Sequence, residues 1–244
     1  MIHFENDLRD GMLRLPAGTE RIRDFQDVEK WMSVDSKMAI PGRAGNKRET
    51  VHDVEIKPFS MLQFPVTADM YNCVMNGVSS ESISGLPMTN VSWNEAVRFC
   101  NALSSALGLA PCYGFDDNMD FIDFDPTQSG YRLPTDAEWQ YACRAGSAGY
   151  RYGELGAIAW YQDNSFGHAH AVGGKQSNAW GLHDMIGNVW EWCWDVYDAE
   201  RYGDYRIFRG GSFAEAARGC GATCRRRSVP DFKIDDLGFR IART

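Results

Sequence analysis

Between residues 184 and 191 the chain reads Asp-Met-Ile-Gly-Asn-Val-Trp-Glu. Asp184, the main-chain carbonyls of Gly187 and Val189, and Glu191 supply four oxygens within this stretch. Such a set suits a hard cation such as calcium. The same pattern also describes a capped turn, with Glu191 bonded to backbone N–H groups or to an arginine. Three further groups carry possible chemistry. His168, His170 and His183 lie within 16 residues. They could ligate iron, copper or zinc, or sit on an exposed loop. Cys220 and Cys224 have Cys-x3-Cys spacing, which suits a soft metal or two buried thiols. Arg225, Arg226 and Arg227 would bind an anion or join an ion-pair network with nearby acids.

These groups need elements to hold them. From Trp190 the pattern has period two: Trp190, Trp192 and Trp194 share one face, and Glu191, Cys193 and Asp195 the other. That alternation predicts a β-strand with one apolar face, and with carboxylates beside the core that need a cation or donors. Thr67 predicts an N-cap, with Met70, Tyr71 and Val74 facing inward. Ser92 with Glu95, and Thr135 with Glu138, are capping boxes ahead of the stripes Ala96, Phe99, Cys100, Leu103 and Trp139, Ala142, Cys143, with Gly146 as a stop. Met12 to Arg23 reads as a hairpin turning at Pro16-Ala-Gly, and Val51 to Phe64 as a strand pair. Phe25, Val28 and Met32 fit a short helix, and 35–50 a loop. Residues 111–130 hold Asp116, Asp117, Asp120, Asp123 and Asp125 without helix–loop–helix calcium spacing, and read as a solvated loop. After Gly146 the chain predicts long loops and short strands, closing on Leu237 to Arg243.

A chain of 244 residues with 44% hydrophobic and 24% charged side chains is an ordinary globule. It reads as one domain, 1–244, with residues 1–50 covering the core. A net charge of −8 argues against nucleic acid and anionic membrane as partners. No signal peptide and no long apolar run is visible. Seven cysteines, an odd number, predict free thiols in a reducing cytoplasm.

Six motifs occur in order: Pro65-Val-Thr67, Asn90-Val-Ser-Trp93, Tyr131-Arg-Leu-Pro-Thr-Asp-Ala-Glu-Trp139, Gly187-Asn-Val-Trp-Glu-Trp192, Arg209-Gly-Gly-Ser212 and Gly238-Phe-Arg240. Together they resemble the formylglycine-generating enzyme (sulfatase-modifying factor) family. The resemblance implies an α+β, C-type-lectin-like fold: a small antiparallel sheet, two main helices, long loops and little regular structure. It also places the family's calcium ligands on Asp184, Gly187, Val189 and Glu191.

The resemblance does not settle function, because one scaffold hosts several. Catalytic members oxidise a substrate cysteine with O2 at copper held by two cysteines after Gly-Gly-Ser. Counted from there, these fall on Glu215 and Cys220, and counting back from Gly238 does not return the second to Cys220. The copper pair is not reproduced. The related sulfoxide synthases use three histidines around iron, a spacing that His168, His170 and His183 do not match. A third branch, including variable proteins of diversity-generating retroelements, binds ligands through the loop before Gly-Phe-Arg. We therefore expect a binding protein for a protein, peptide or small-molecule ligand. Its face would be loop 213–236, with Phe213, Glu215, Arg218, Arg225, Arg226, Arg227, Phe232 and Lys233 as candidates. Arg209 and Arg240 are expected in buried ion pairs with acids such as Glu191 or Asp195. The alternative is a copper- or iron-dependent oxidase acting on a thiol, with Cys220 and Cys224 as candidate metal ligands.

Overall fold

Strands β1 (Met12–Leu15) and β2 (Gly18–Asp24) run against β4 (Phe59–Leu62) and β3 (Thr50–Ile56). β1 pairs with β4 and β2 with β3, both antiparallel. The register is constant across the gap, Leu15 facing Phe59 and Gly18 facing Ile56. Continued through the gap, it sets Pro16 opposite Pro58. Neither proline has an amide N–H, so the ladder breaks there and the ribbon bends. The expected hairpin and the expected strand pair are thus corrected: Pro16-Ala17 and Lys57-Pro58 are kinks in one long ribbon. β11 (Ala242–Arg243) adds to β4 and completes a three-stranded sheet. The computed structural model describes residues 8, 10–24, 50–78, 85–117 and 121–244. The helix expected at Phe25, Val28 and Met32 lies outside them, as does the 35–50 loop except Thr50.

The helices follow their caps. α1 (Ala68–Asn76) starts at Thr67, whose side chain accepts from the Met70 N–H. Met70, Tyr71 and Val74 are only half-buried against the core. α2 (Trp93–Ala106) and α3 (Asp136–Arg144) carry both capping boxes in full. Ala96, Phe99, Cys100 and Leu103 are buried, as are Trp139, Ala142 and Cys143. α3 ends on Ala145, itself left-handed at φ 46°, one residue before the expected stop. The acidic stretch is not simply a loop: β5 (Tyr113–Phe115) and β6 (Phe121–Phe124) pair within it. Their aromatic rings pack on Trp194, which is 4.1 Å from the Phe124 ring. α4 (Leu155–Ile158) is a single turn.

The predicted tryptophan strand is β7 (Trp190–Val196), followed by α5 (Ala199–Tyr202), β8 (Arg206–Arg209), β9 (Arg225–Ser228) and β10 (Leu237–Phe239). The sheet order is β10-β7-β8-β9, parallel between β10 and β7 and otherwise antiparallel. β7 separates two cores. Trp190 and Trp192 join Trp93, Phe99, Phe208 and Phe239 on one side. Cys193 joins Trp139, Met185, Ile207 and Cys220 on the other. The indole N–H groups of Trp192 and Trp93 donate to the Val91 and Cys193 carbonyls at 3.0 Å, so neither is stranded in the core. Among the described residues no helix is long and apolar enough to cross a membrane.

Candidate functional site

Glu191 lies on the buried face of β7 and is fully saturated. Its Oε1 accepts from Arg240 Nη2 at 2.8 Å and Nε at 3.3 Å. Its Oε2 accepts from Trp139 Nε1 at 2.7 Å and Arg240 Nε at 3.1 Å. Arg240 also donates to the carbonyls of Leu62, Gln63 and His183. An ionised carboxylate offers about four lone-pair sites, and all are engaged. The arginine partner that the sequence allowed for Glu191 is present. Asp184 differs. Its Oδ2 accepts the Gly173 N–H at 2.7 Å, while its buried Oδ1 has no hydrogen-bond partner. Burial raises its pKa above the usual carboxylate range, and the Gly173 bond and Arg240 only partly offset this. Of the four expected calcium ligands, the Glu191 carboxylate is thus committed to Arg240 and Trp139, and Asp184 Oδ1 is the side-chain oxygen left without a hydrogen-bond partner.

Asn188, next in the same turn, organises the outer loops. It sits at φ 58° and exchanges two hydrogen bonds of 3.0 Å with the His170 backbone. Its carbonyl accepts from Phe213 N–H at 2.8 Å. Gly187 beside it is left-handed, and a Cβ there would lie 2.3 Å from the Trp160 carbonyl oxygen, so only glycine fits. Ser165 Oγ donates to the Phe213 carbonyl at 2.8 Å, and the Gln162 N–H to Glu215 at 3.0 Å. These bonds fasten loop 162–170 onto the start of loop 213–236. The resulting surface carries Phe166, 86% exposed and in the left-handed region at φ 57°. Beside it runs a stacked column: Lys175 lies 4.0 Å over Trp160, Trp160 stacks on His170 at 3.8 Å, and His168 follows at 4.5 Å.

The expected binding residues do not share one face. Phe213 is buried and anchors the loop rather than contacting solvent. On β9 the side chains alternate. Arg226 points outward over Trp190, at 5.0 Å, and pairs with Glu215 at 2.8 Å. Arg225 and Arg227 take the other side, against Tyr197 at 4.9 and 4.5 Å. Arg225 also pairs with Asp136 at 3.1 Å. Arg218 is exposed, Phe232 half-buried, and exposed Lys233 pairs with Glu95 at 2.5 Å. Phe166 and Trp160 lay outside the sequence-based set: a single aromatic before a glycine in a polar stretch has no periodicity to mark it. Arg209 also finds a different acid from those expected. It donates to Asp136, while Asp195 accepts the Asp136 N–H at 2.5 Å.

The metal candidates are dispersed. All seven cysteines are free thiols. Cys220 is buried, its thiol directed at the Ser212 and Glu215 carbonyls and pushed up to about 12 by burial, then by Glu215 and Cys224. Burial likewise raises Cys224. Neither environment favours the thiolate that binds metals. His183 is apart from the stacked pair, its Nδ1 on the Lys175 carbonyl and its ring 5.2 Å from Phe64. Among the described residues no three His, Cys, Asp or Glu side chains converge as a metal group.

With this geometry in hand, the kinship is clear. Residues 3–244 match the family described as the sulfatase-modifying factor enzyme 1-like domain. Treponema denticola variable protein 1 superposes with a TM-score of 0.76 at 28% identity, covering 95% of this chain and 94% of that one. The chaperone protein LppX of Paenibacillus barcinonensis is 26% identical over 79% of this chain and 82% of its own length. The inactive C-alpha-formylglycine-generating enzyme 2 of Bos taurus is 29% identical over 64% of this chain, which spans half of that protein. The fold is the α+β, C-type-lectin-like fold of the formylglycine-generating type.

Proposed function

The chain belongs to the sulfatase-modifying factor enzyme 1-like family, and on that premise we propose that it is a binding member, taking a protein, peptide or small-molecule ligand on its outer loops. The observation that carries this reading is Phe166. A large apolar side chain stands in solvent, in a backbone region costly for a non-glycine residue, on a loop bonded to residues 213 and 215. The Trp160 column and exposed Arg226 offer the aromatic and arginine side chains that anchor interfaces. The likeness to a variable protein and to a chaperone supports this, as does the name of the inactive relative. A role for loop 213–236 as a variable surface belongs to the same proposal.

The oxidase alternative needs copper or iron at Cys220 and Cys224. The raised thiol pKa values and the absence of a third converging ligand among the described residues weigh against it. Elemental analysis of purified protein separates the two readings. Copper or iron near one per chain, lost in Cys220→Ser, would replace the binding proposal. Calcium stays a structural proposal resting on Asp184 Oδ1, the one buried acidic oxygen of the turn without a partner.

A further inference from the structure

The described residues bound a cleft of about 530 Å³ between β2, α3 and residues 223–225. Small-molecule sites commonly have volumes of about 300–1,000 Å³. Among the described residues its charged lining is one-signed: Arg21, Arg23, Arg144, Arg209 and Arg225, with no carboxylate. This is unusual in a chain of net charge −8. Three acids among the described residues pair with these cations. Asp53 holds Arg21 at 2.8 Å, Glu20 holds Arg144 at 3.3 Å, and Asp136 holds both Arg209 and Arg225. A fourth acid, Asp195, does not line the cleft; burial and then Asp136 raise its carboxyl to about 7.

Two cations have donors to spare. Arg23 has no ion-pair partner among the described residues. The Arg144 Nε is buried without a hydrogen-bond acceptor, an uncompensated desolvation. Arg209 and Arg225 are rigidly placed, being 1% and 6% exposed. Tyr197, Ile22 and Val51 supply an apolar flank beside the charges.

We propose that this cleft binds a small phosphate monoester, its dianion meeting Arg23, Arg144 and Arg225 and its organic part lying against Tyr197 and Ile22. Guanidinium forks match phosphate oxygens in pairs. The inference does not rest on the outer-loop reading, with which it shares only Arg225.

Calorimetric titration with phenyl phosphate and with succinate, at one fixed ionic strength, tests it. Wild-type protein is expected to bind phenyl phosphate saturably and about tenfold more tightly than succinate. Arg23→Ala, at an exposed position that should leave folding intact, and Arg144→Lys, which keeps the charge and removes Nε, should each weaken binding about fivefold or more. Arg14→Ala, an exposed arginine outside the cleft, should leave it unchanged. Absence of saturable binding to wild-type protein overturns the proposal. So does equal loss in Arg14→Ala, or no loss in both cleft variants. Succinate binding as tightly as phenyl phosphate overturns the phosphate assignment.

Discussion

Arg240 and Glu191 form a fully buried, two-pronged ion pair, with side chains 0% and 1% exposed and the shortest contact 2.8 Å. The arginine joins the end of β10 to β7, and through the Leu62 and Gln63 carbonyls to β4. Glu191→Ala would strand a buried guanidinium, at a cost of about 3–5 kcal/mol. Chemical denaturation should show this, and Glu191→Ala with Arg240→Ala should be much less than additive. Additive losses would mean that the pair is not a unit.

Calcium is expected to raise the melting temperature above its value in EDTA, and Asp184→Ala should abolish the rise. A wild-type protein that melts identically in calcium and in EDTA would remove calcium from the account.

Cys220 is expected to resist alkylation at pH 8 long after half-buried Cys73 has reacted, because burial keeps its thiol protonated. Peptide mass mapping of a time course reads this directly. Early modification of Cys220 would contradict the buried-thiol assignment and revive metal chemistry there.

Phe166→Ser should change stability by no more than about 0.5 kcal/mol, since the ring buries almost nothing. Once a ligand is identified, the same substitution should reduce its binding about tenfold or more. A destabilised variant would mean that Phe166 serves the fold, and unimpaired binding would move the site elsewhere.

Asp195 gives a pH signature. Burial and the adjacent Asp136 charge raise its carboxyl to about 7. Asp136 also feels burial, but Arg209 and Arg225 outweigh it and hold that acid low. Between roughly pH 4 and 7 the folded chain therefore keeps a proton on Asp195 that the unfolded chain releases. Its contribution to stability declines as pH rises through this window and levels off above it. The full move corresponds to at most roughly 4 kcal/mol, less for a side chain with some solvent contact. Melting temperatures from pH 5.5 to 8 should fall in wild-type protein and flatten in Asp195→Asn. Parallel curves would locate the titration elsewhere.

Local physics was legible in the residues. Ser92, Thr135 and Thr67 cap the helices they announce, because a cap is a contact over three residues. The Trp190, Trp192, Trp194 alternation announced its strand for the same reason. Pairing was less legible. Met12 to Arg23 looks like a hairpin because Pro16-Ala-Gly suits a turn, but its partner is 50–62, which only the folded chain brings near. The arginine triplet looks like one patch, yet strand alternation sends Arg226 to the outer surface and Arg225 to the cleft. Arg209 was recognisable as a buried cation, while its partner Asp136 lies 73 residues away. Phe166 gave no signal at all, since exposure is a property of the finished surface.

Because β7 walls off one core with its indoles and the other with Cys193 and Glu191, neither half of the molecule can open while the other stays shut. The two sides should melt as a single cooperative unit despite their many loops. The amide protons of residues 191–193 would then be among the last to exchange with solvent, released only when the whole chain unfolds.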